Sequence, residues 1–387
     1  MPIQKILLIF ILILSCSSNG NDSEEIKNPI EENPTEEPNG NESVAFYYGA
    51  DLSYVNEMED CGALYYDSSN VKKDPYQIFE EEGANLIRIR LWHNPTWTAY
   101  SNFDDVKKSI QRAKTLGMSV LLDFHYSDTW TDPSKQGIPA AWLAKVNDTE
   151  ALGDLLYDYT YETLNVLANE NLLPEMVQVG NEINIMILQE GESQTPMNWS
   201  RNATLINKGI KAVRDIAKEK NAEIGVMLHI AQPENALWWF EQATQNGITD
   251  YDWIGLSYYP IWSDYTLDNV GVAFKTLKDT YEKRLMVVET AYPFTMENND
   301  AANNILDVNA LINGYPASGQ GQLNYLNKLK SEIVSAGGEG LIYWEPAWVS
   351  TSCSTLWGQG SHWDNATLFD HNYKPTKGME FYNGSKK

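Results

Sequence analysis

Met176-Val-Gln-Val-Gly-Asn-Glu182 is a mostly apolar run that ends in a glycine, an amide and a carboxylate. Near-continuous apolar runs of this length read as strands of a parallel sheet, buried on both faces. An acid where such a strand meets its loop is costly unless it is paired, hydrogen-bonded or used. Leu285-Met-Val-Val-Glu289-Thr290 repeats the arrangement about a hundred residues later. Either glutamate alone reads as a rim acid in a salt bridge. Two such strands, each delivering a glutamate at its C-terminal end, supply the two carboxyl groups that glycoside cleavage needs.

Working outward, strands and helices alternate from Val44 onward. The sequence predicts strands over 46–51, 85–91, 119–126, 176–182, 224–230, 253–259, 285–290 and 340–345. Helical periodicity falls between them, for example over 103–116, 151–169, 203–219, 267–282 and 322–336. Eight strands separated by helices predict a (β/α)8 barrel, a TIM barrel forming a single domain over 44–387. An open doubly wound sheet would carry a Gly-rich phosphate turn after its first strand, and Gly49-Ala-Asp-Leu is not one.

The net charge of −25 argues against nucleic acid or anionic lipid as a partner, and against a polyanionic glycan. A neutral polysaccharide is compatible with it. Thirteen Trp and 22 Tyr are a heavy aromatic load, which core packing alone would accommodate. Several of the tryptophans, among them Trp92, Trp130, Trp262, Trp344 and Trp348, fall at strand ends and loops, where a sugar face can stack.

The N-terminal segment reads differently. Residues 1–15 hold Lys5 and an apolar run too short to span a bilayer, and they end in Leu14-Ser15 directly before Cys16. This resembles a lipoprotein signal peptide whose cleavage frees Cys16 for acylation, and serine at position 17 points to the outer membrane. Residues 16–43 are acid, Asn, Gly and Pro with few apolar side chains, which predicts an extended, disordered tether. The expected localisation is an outer-membrane lipoprotein exposed at the cell surface, touching the membrane only through its lipid.

The strand ends, read in order, give a polar and aromatic set: Asp51, Arg90, Trp92, Asp123, His125, Asp128, Trp130, Asn181, Glu182, His229, Tyr259, Glu289, Trp344 and Glu345. Catalytic residues of a barrel enzyme gather at this end. Singly, each has a bland account as core or ion-pair residue. Together they resemble the retaining glycosidases whose glutamates follow strands four and seven, which is where counting places Glu182 and Glu289. The runs Asp123-Phe-His-Tyr-Ser-Asp-Thr-Trp130, Val179-Gly-Asn-Glu-Ile183, Gly255-Leu-Ser-Tyr-Tyr-Pro260 and Tyr343-Trp-Glu-Pro-Ala-Trp348 are similar to glycoside hydrolase family 53, the endo-β-1,4-galactanases. With Gly49-Ala-Asp-Leu-Ser53 and Ile87-Arg-Ile-Arg-Leu-Trp-His-Asn-Pro95 the resemblance covers nearly all of 44–387.

The resemblance implies that Glu182 is the acid/base and Glu289 the nucleophile, with no cofactor for catalysis. It implies that Asn181 holds the sugar 2-hydroxyl and that Arg90 and Tyr259 keep Glu289 ionised. Asp51 and His125 would line the −1 pocket, Trp344 would floor it, and Asp128, Trp130 and Trp348 would extend the cleft. Glu345 is left as a structural acid. The expected partner is a neutral galactan and the expected state a monomer. Bacterial members hold a calcium ion between the loops after strands seven and eight, which would fall here on Glu297, Asp300, Asn304, Ser361 and Asp364. Cys61, after strand one, and Cys353, after strand eight, lie on loops that a closed barrel brings side by side. A disulfide and two free thiols both remain open for them. Two other functions fit part of the pattern: a retaining endo-glycosidase acting on β-mannan or β-glucan, and a glycan-binding lipoprotein without catalysis.

Overall fold

The computed structural model describes residues 46–191 and 196–386. The signal peptide, Cys16 and the tether therefore lie outside the described residues. Eight parallel strands close into one barrel: β1 (Tyr47–Asp51), β2 (Leu86–Leu91), β3 (Ser119–Phe124), β4 (Met176–Val179), β5 (Gly225–Ala231), β6 (Trp253–Ser257), β7 (Arg284–Glu289) and β8 (Gly340–Tyr343), with β8 pairing back onto β1. The predicted (β/α)8 architecture is the one observed.

After β1 come the short α1 (Val55–Asp60) and α2 (Pro75–Glu82). The next six connections carry α3 (Phe103–Thr115), α4 (Thr149–Asn169), α5 (Trp199–Lys220), α6 (Pro233–Gln245), α7 (Val270–Tyr281) and α8 (Gly319–Ser335). A 3₁₀ segment, Lys377–Lys386, follows β8 and lays Met379, Phe381 and Tyr382 into the core. Local chemistry sets the helix ends. In α3 the Asn102 side chain caps the Asp105 N–H, acids fill the first turn, and Arg112 and Lys114 face the negative end of the dipole.

Each strand sorts its residues by parity. Odd residues of β2, Ile87 and Ile89, join the core between barrel and helices, whereas Leu86 points into the barrel. There it meets Leu121, Met176, Met227, Trp253, Met286, Val288 and Ile342 in an apolar plug at the N-terminal end. Glycines make room for these large side chains: a Cβ on Gly225 would stand 2.9 Å from the Trp253 indole nitrogen. Above the plug the same inward positions turn polar, giving Asp51, Arg88, Asp123, Gln178, His229 and Ser257, all buried. The site is built on this second layer.

One irregularity matters. The β6–β7 register shifts so that Leu256 faces Val287 but Ser257 faces Glu289. The extra residue lets Val288 stay in the plug while Glu289 also turns inward, the re-aiming that a bulge provides.

Cys61, after α1, and Cys353, in the loop after β8, are joined as a disulfide with Cα atoms 5.7 Å apart. The bridge ties chain segments 292 residues apart. Just beyond it a two-stranded hairpin, β9 (Ser354–Thr355) and β10 (Gly358–Gln359), carries Trp357 at its turn. In the oxidised protein both thiols should resist alkylation until a reductant is added. Cys353→Ser should then lower stability by about 2–4 kcal/mol, read as a fall in Tm. An unchanged Tm would mean that the bridge constrains nothing.

Candidate active site

At the centre of the polar layer sits Arg88, 1% exposed. Its guanidinium donates to Asp51 Oδ2 at 2.9 Å, Glu289 Oε1 at 2.7 Å, Asp123 Oδ2 at 2.8 Å, Asn181 Oδ1 at 2.8 Å and Gln178 Oε1 at 3.2 Å. Those contacts use every N–H the group has. The partners come from β1, β3, β4 with the loop that follows it, and β7, so one side chain ties together much of the barrel mouth.

Glu289 is the last residue of β7 and faces the cleft beside this cation. Glu182 stands beyond β4, after Gly180 at φ +87°, and itself has φ +44°. Such a conformation costs a non-glycine residue about 1–3 kcal/mol and needs outside support. The support is visible: Gln136 Nε2 donates to Asn181 O at 2.8 Å and Glu182 O at 3.1 Å. Ser257 Oγ donates to Glu182 Oε1 at 2.6 Å, and His229 Nε2 lies 2.8 Å behind Ser257. A ligand atom from each of Glu182, Glu289 and His229 fits within 4.8 Å of the other two. A retaining glycosidase spaces its carboxyls by roughly 5–5.5 Å, an inverting one by roughly 6.5–9.5 Å. The close approach of the pair sits with the shorter, retaining spacing and well below the inverting one.

Electrostatics separate the two acids. Burial, then the charge of Glu289, pushes the Glu182 carboxyl well above the usual carboxylate range. Burial also raises Glu289, to about 7, against the pull of Arg88. The contact at 2.7 Å with Arg88 makes Glu289 the first of the pair to ionise. One acid is thus kept protonated beside another kept charged, the division of labour that two-carboxylate hydrolysis requires.

A cleft of about 360 Å³ opens over both acids, lined by Trp130, Trp344, Trp348 and Trp357 together with Thr131, Asp132, Asn181, Ile305 and His362. Trp357 is half exposed and lies 5.4 Å from Trp130, ring centre to ring centre. Four indoles around two carboxyls make a groove suited to the C–H faces of sugars.

Residues 47–382 match the family model described as Glycosyl hydrolase family 53. The chain belongs to that family. An arabinogalactan endo-beta-1,4-galactanase of Cellvibrio japonicus is 58% identical over 331 residues, covering 85% of this chain and 88% of that relative. An endo-beta-1,4-galactanase of Bacillus subtilis is 34% identical, covering 88% of this chain and 80% of that one. Among solved structures, the Ignisphaera aggregans GH53 catalytic domain superposes with a TM-score of 0.79 at 31% identity, over 88% of this chain and 96% of that domain. The protein is a glycoside hydrolase.

Within this family-53 chain the residues read from sequence fall into two groups. Glu182, Glu289, Asn181, Trp130, Trp344 and Trp348 meet at the cleft. Tyr259 is buried close to both glutamates, and burial followed by their charge raises its phenol. Arg90 does not serve Glu289. It pairs with Glu345 at 2.9 Å and packs against Tyr54, Trp92 and Trp130. Arg88, two residues earlier on the same face, takes the role assigned to Arg90. Asp51 and His125 are buried behind the lining rather than part of it. Asp51 holds Arg88, and His125 Nε2 meets Asp123 at 3.1 Å while its Nδ1 meets Thr131 Oγ1 at 3.0 Å. Asp128 organises the neighbouring loops, accepting from Asn94 N at 3.0 Å and Ala140 N at 2.8 Å.

The expected calcium ligands form a hydrogen-bonded clasp. Asp364 accepts from Asn299 N, Ser350 Oγ and Asn304 Nδ2, and Asp300 accepts from Ala302 N and Ser361 N. Ser361 Oγ donates to Trp348 O, and Glu297 is exposed. Buried acceptors without a partner here, among the described residues, include the amide oxygens of Asn304 and Asn365 and the Nε2 of His362, whose Nδ1 donates to Asn303 O. Calcium takes carboxylate and amide oxygens alike, so the chemistry of Asp300, Asp364, Asn304 and Asn365 fits it, while here the two carboxylates accept hydrogen bonds from N–H and O–H groups around them. Amides and hydroxyls join the two loops here.

Two expectations follow from this geometry. With Glu289 the first of the pair to ionise and Glu182 the one that keeps its proton, kcat/KM should rise with pH as Glu289 ionises near 7 and fall once Glu182 loses its proton at higher pH. An acidic limb near pH 4 would show that Arg88 outweighs burial. Calcium bound at this clasp should raise the Tm by mass action, and a Tm indifferent to chelator and to added calcium would tell against a functional site.

Proposed function

We propose that this enzyme cleaves internal β-1,4-galactosidic linkages of galactan and type I arabinogalactan with retention of configuration. The observation that carries this is the pair Glu182 and Glu289, about one carboxyl spacing apart beneath four tryptophans, in a family-53 chain. The names of the Cellvibrio and Bacillus relatives supply the sugar.

In the first step the Glu289 carboxylate attacks the anomeric carbon while Glu182 gives its proton to the departing glycosidic oxygen. The product is a covalent glycosyl-enzyme. In the second, Glu182 takes a proton from water as the water oxygen attacks the same carbon and releases Glu289. The two carboxyls supply both acid–base and nucleophilic chemistry, so the reaction requires no cofactor. Asn181 lines the cleft beside both acids, which supports its reading as the group that holds the sugar 2-hydroxyl.

A substrate panel separates the readings. Reducing ends should appear from galactan and not from β-mannan or β-glucan, and a binding protein would leave every polymer intact. The first product, read by NMR, should be β-configured; an α product would mean inversion. Glu289→Gln should abolish activity without unfolding. Glu182→Ala should cripple polymer cleavage, spare a substrate with an activated leaving group, and form a β-galactosyl azide when azide is added.

The same proposal extends to placement: a monomer acylated at Cys16 and displayed on the outer membrane through the acidic tether. The composition of 16–43 supports this reading. Cys16→Ala should move the protein from membrane to soluble fractions; unaltered fractionation would count against the anchor.

A further inference from the structure

Behind Glu182 lies a chain of buried polar groups that takes no direct part in bond making. Ser257 and His229 are both fully buried. Ser257 Oγ touches Glu182 Oε1 on one side and His229 Nε2 on the other. His229 Nδ1 faces three groups: Asn181 Oδ1 at 3.0 Å, Gln178 Nε2 at 3.2 Å and the Glu182 N–H at 3.3 Å. Both amides are fixed by their other partners. Asn181 Oδ1 accepts from Arg88 while its Nδ2 donates to Thr131 O, and Gln178 Nε2 donates to Asp123 while its Oε1 accepts from Arg88. One acceptor and two donors therefore confront Nδ1, and each imidazole tautomer finds a partner.

The two tautomers have different consequences for the acid. With the proton on Nδ1, Nε2 accepts from Ser257, whose oxygen is then left to accept a proton held on Glu182 Oε1. That proton points inward, away from the substrate. With the proton on Nε2, His229 donates to Ser257 and Ser257 donates to Oε1. Oε1 is then an acceptor, and the acid proton must reside on Oε2.

We infer that Ser257 and His229 act as positioning residues that keep the catalytic proton of Glu182 on Oε2. The inference rests on the acid/base role proposed above for Glu182. Through the cycle Oε2–H breaks as the glycosidic oxygen leaves with its bonding pair and takes that proton. Oε2 regains a proton from water in the second step. The protons of Ser257 and His229 stay where they are, and the Ser257 bond is made to the neutral and the ionised acid, more strongly to the ionised one. A neutral imidazole is required, and burial, reinforced by Arg88, holds His229 well below its ordinary pKa. The other charges facing Glu182 are Glu289 on β7, Arg88 on β2 and Asp132 after β3. Those facing His229 are Arg88, Asp123 and His125. None of them is altered by changing Ser257.

The test compares Ser257→Ala and Ser257→Thr with the unaltered enzyme. Ser257 stabilises the carboxylate, so its loss should raise the Glu182 pKa by about one unit. The alkaline limb of kcat/KM on galactan should move up by that amount, and Ser257→Thr should return it. A purely structural role would lower kcat and leave the limb in place, and that outcome would overturn the inference. Carbon NMR titration of the Glu182 carboxyl needs no substrate and should show the same shift. It therefore separates failure of this inference from failure of the galactan reading. Nitrogen NMR should find His229 protonated at Nε2; a proton resident on Nδ1 would equally refute it.

Discussion

One buried cation holds this site together. Arg88 faces the carboxylates of Asp51, Asp123 and Glu289, and all five of its N–H groups are engaged. A guanidinium removed from water is tolerable only with such complete pairing, and deleting one member of a buried pair typically costs about 3–5 kcal/mol. The arrangement is not neutral, however. His125 sits against Asp123, and His229 is kept uncharged, so the anions still outnumber the cation. The excess has to appear as a reluctance to ionise somewhere. It appears at the catalytic pair, where burial has already raised both glutamates and where Asp51 and Asp123 add to the rise at Glu289.

The barrel creates the depth at which this can happen. Large apolar side chains fill its lower end, so the polar layer has a dry floor. The cleft then opens only upward, under the tryptophans. Shape and electrostatics are linked here: the same inward positions that supply Met286 and Met227 one layer down supply Glu289 and His229 one layer up. The bulge at Val288 reconciles the two demands on β7.

Much of this was legible in the chain. The eight apolar runs fix the barrel, and Glu182 and Glu289 are marked by an acid ending a strand that has no other reason to carry one. What was not legible was depth. Arg88 and Arg90 share a face, so periodicity treats them alike, and only the stagger of the strands tells which guanidinium reaches Glu289. The same limit applies to Asp51 and His125, whose strand-end positions looked like cleft positions but lie behind it. Loops hid the rest. Trp357 and His362 reach the cleft from the long segment after β8, and Gln136 supports Glu182 from the segment after β3. No period places such residues, although the tryptophan content of the loops was a hint that Trp357 shared with the others.

The two glutamates are held by different means, and the difference follows from the tasks proposed for them. Glu289 must be an anion when it attacks, and it must not wander. It is placed inside the last strand position and bound to a fixed positive charge. Glu182 has to give up a proton and recover it in every turnover. A cation as close as Arg88 is to Glu289 would stabilise its anion and weaken it as an acid. It is held instead by a hydroxyl, which can donate to the carboxyl in either charge state, and by backbone contacts that secure its unusual φ. That φ, with the one at Gly180, turns Glu182 out of the line of β4 and into the cleft that Glu289 also lines.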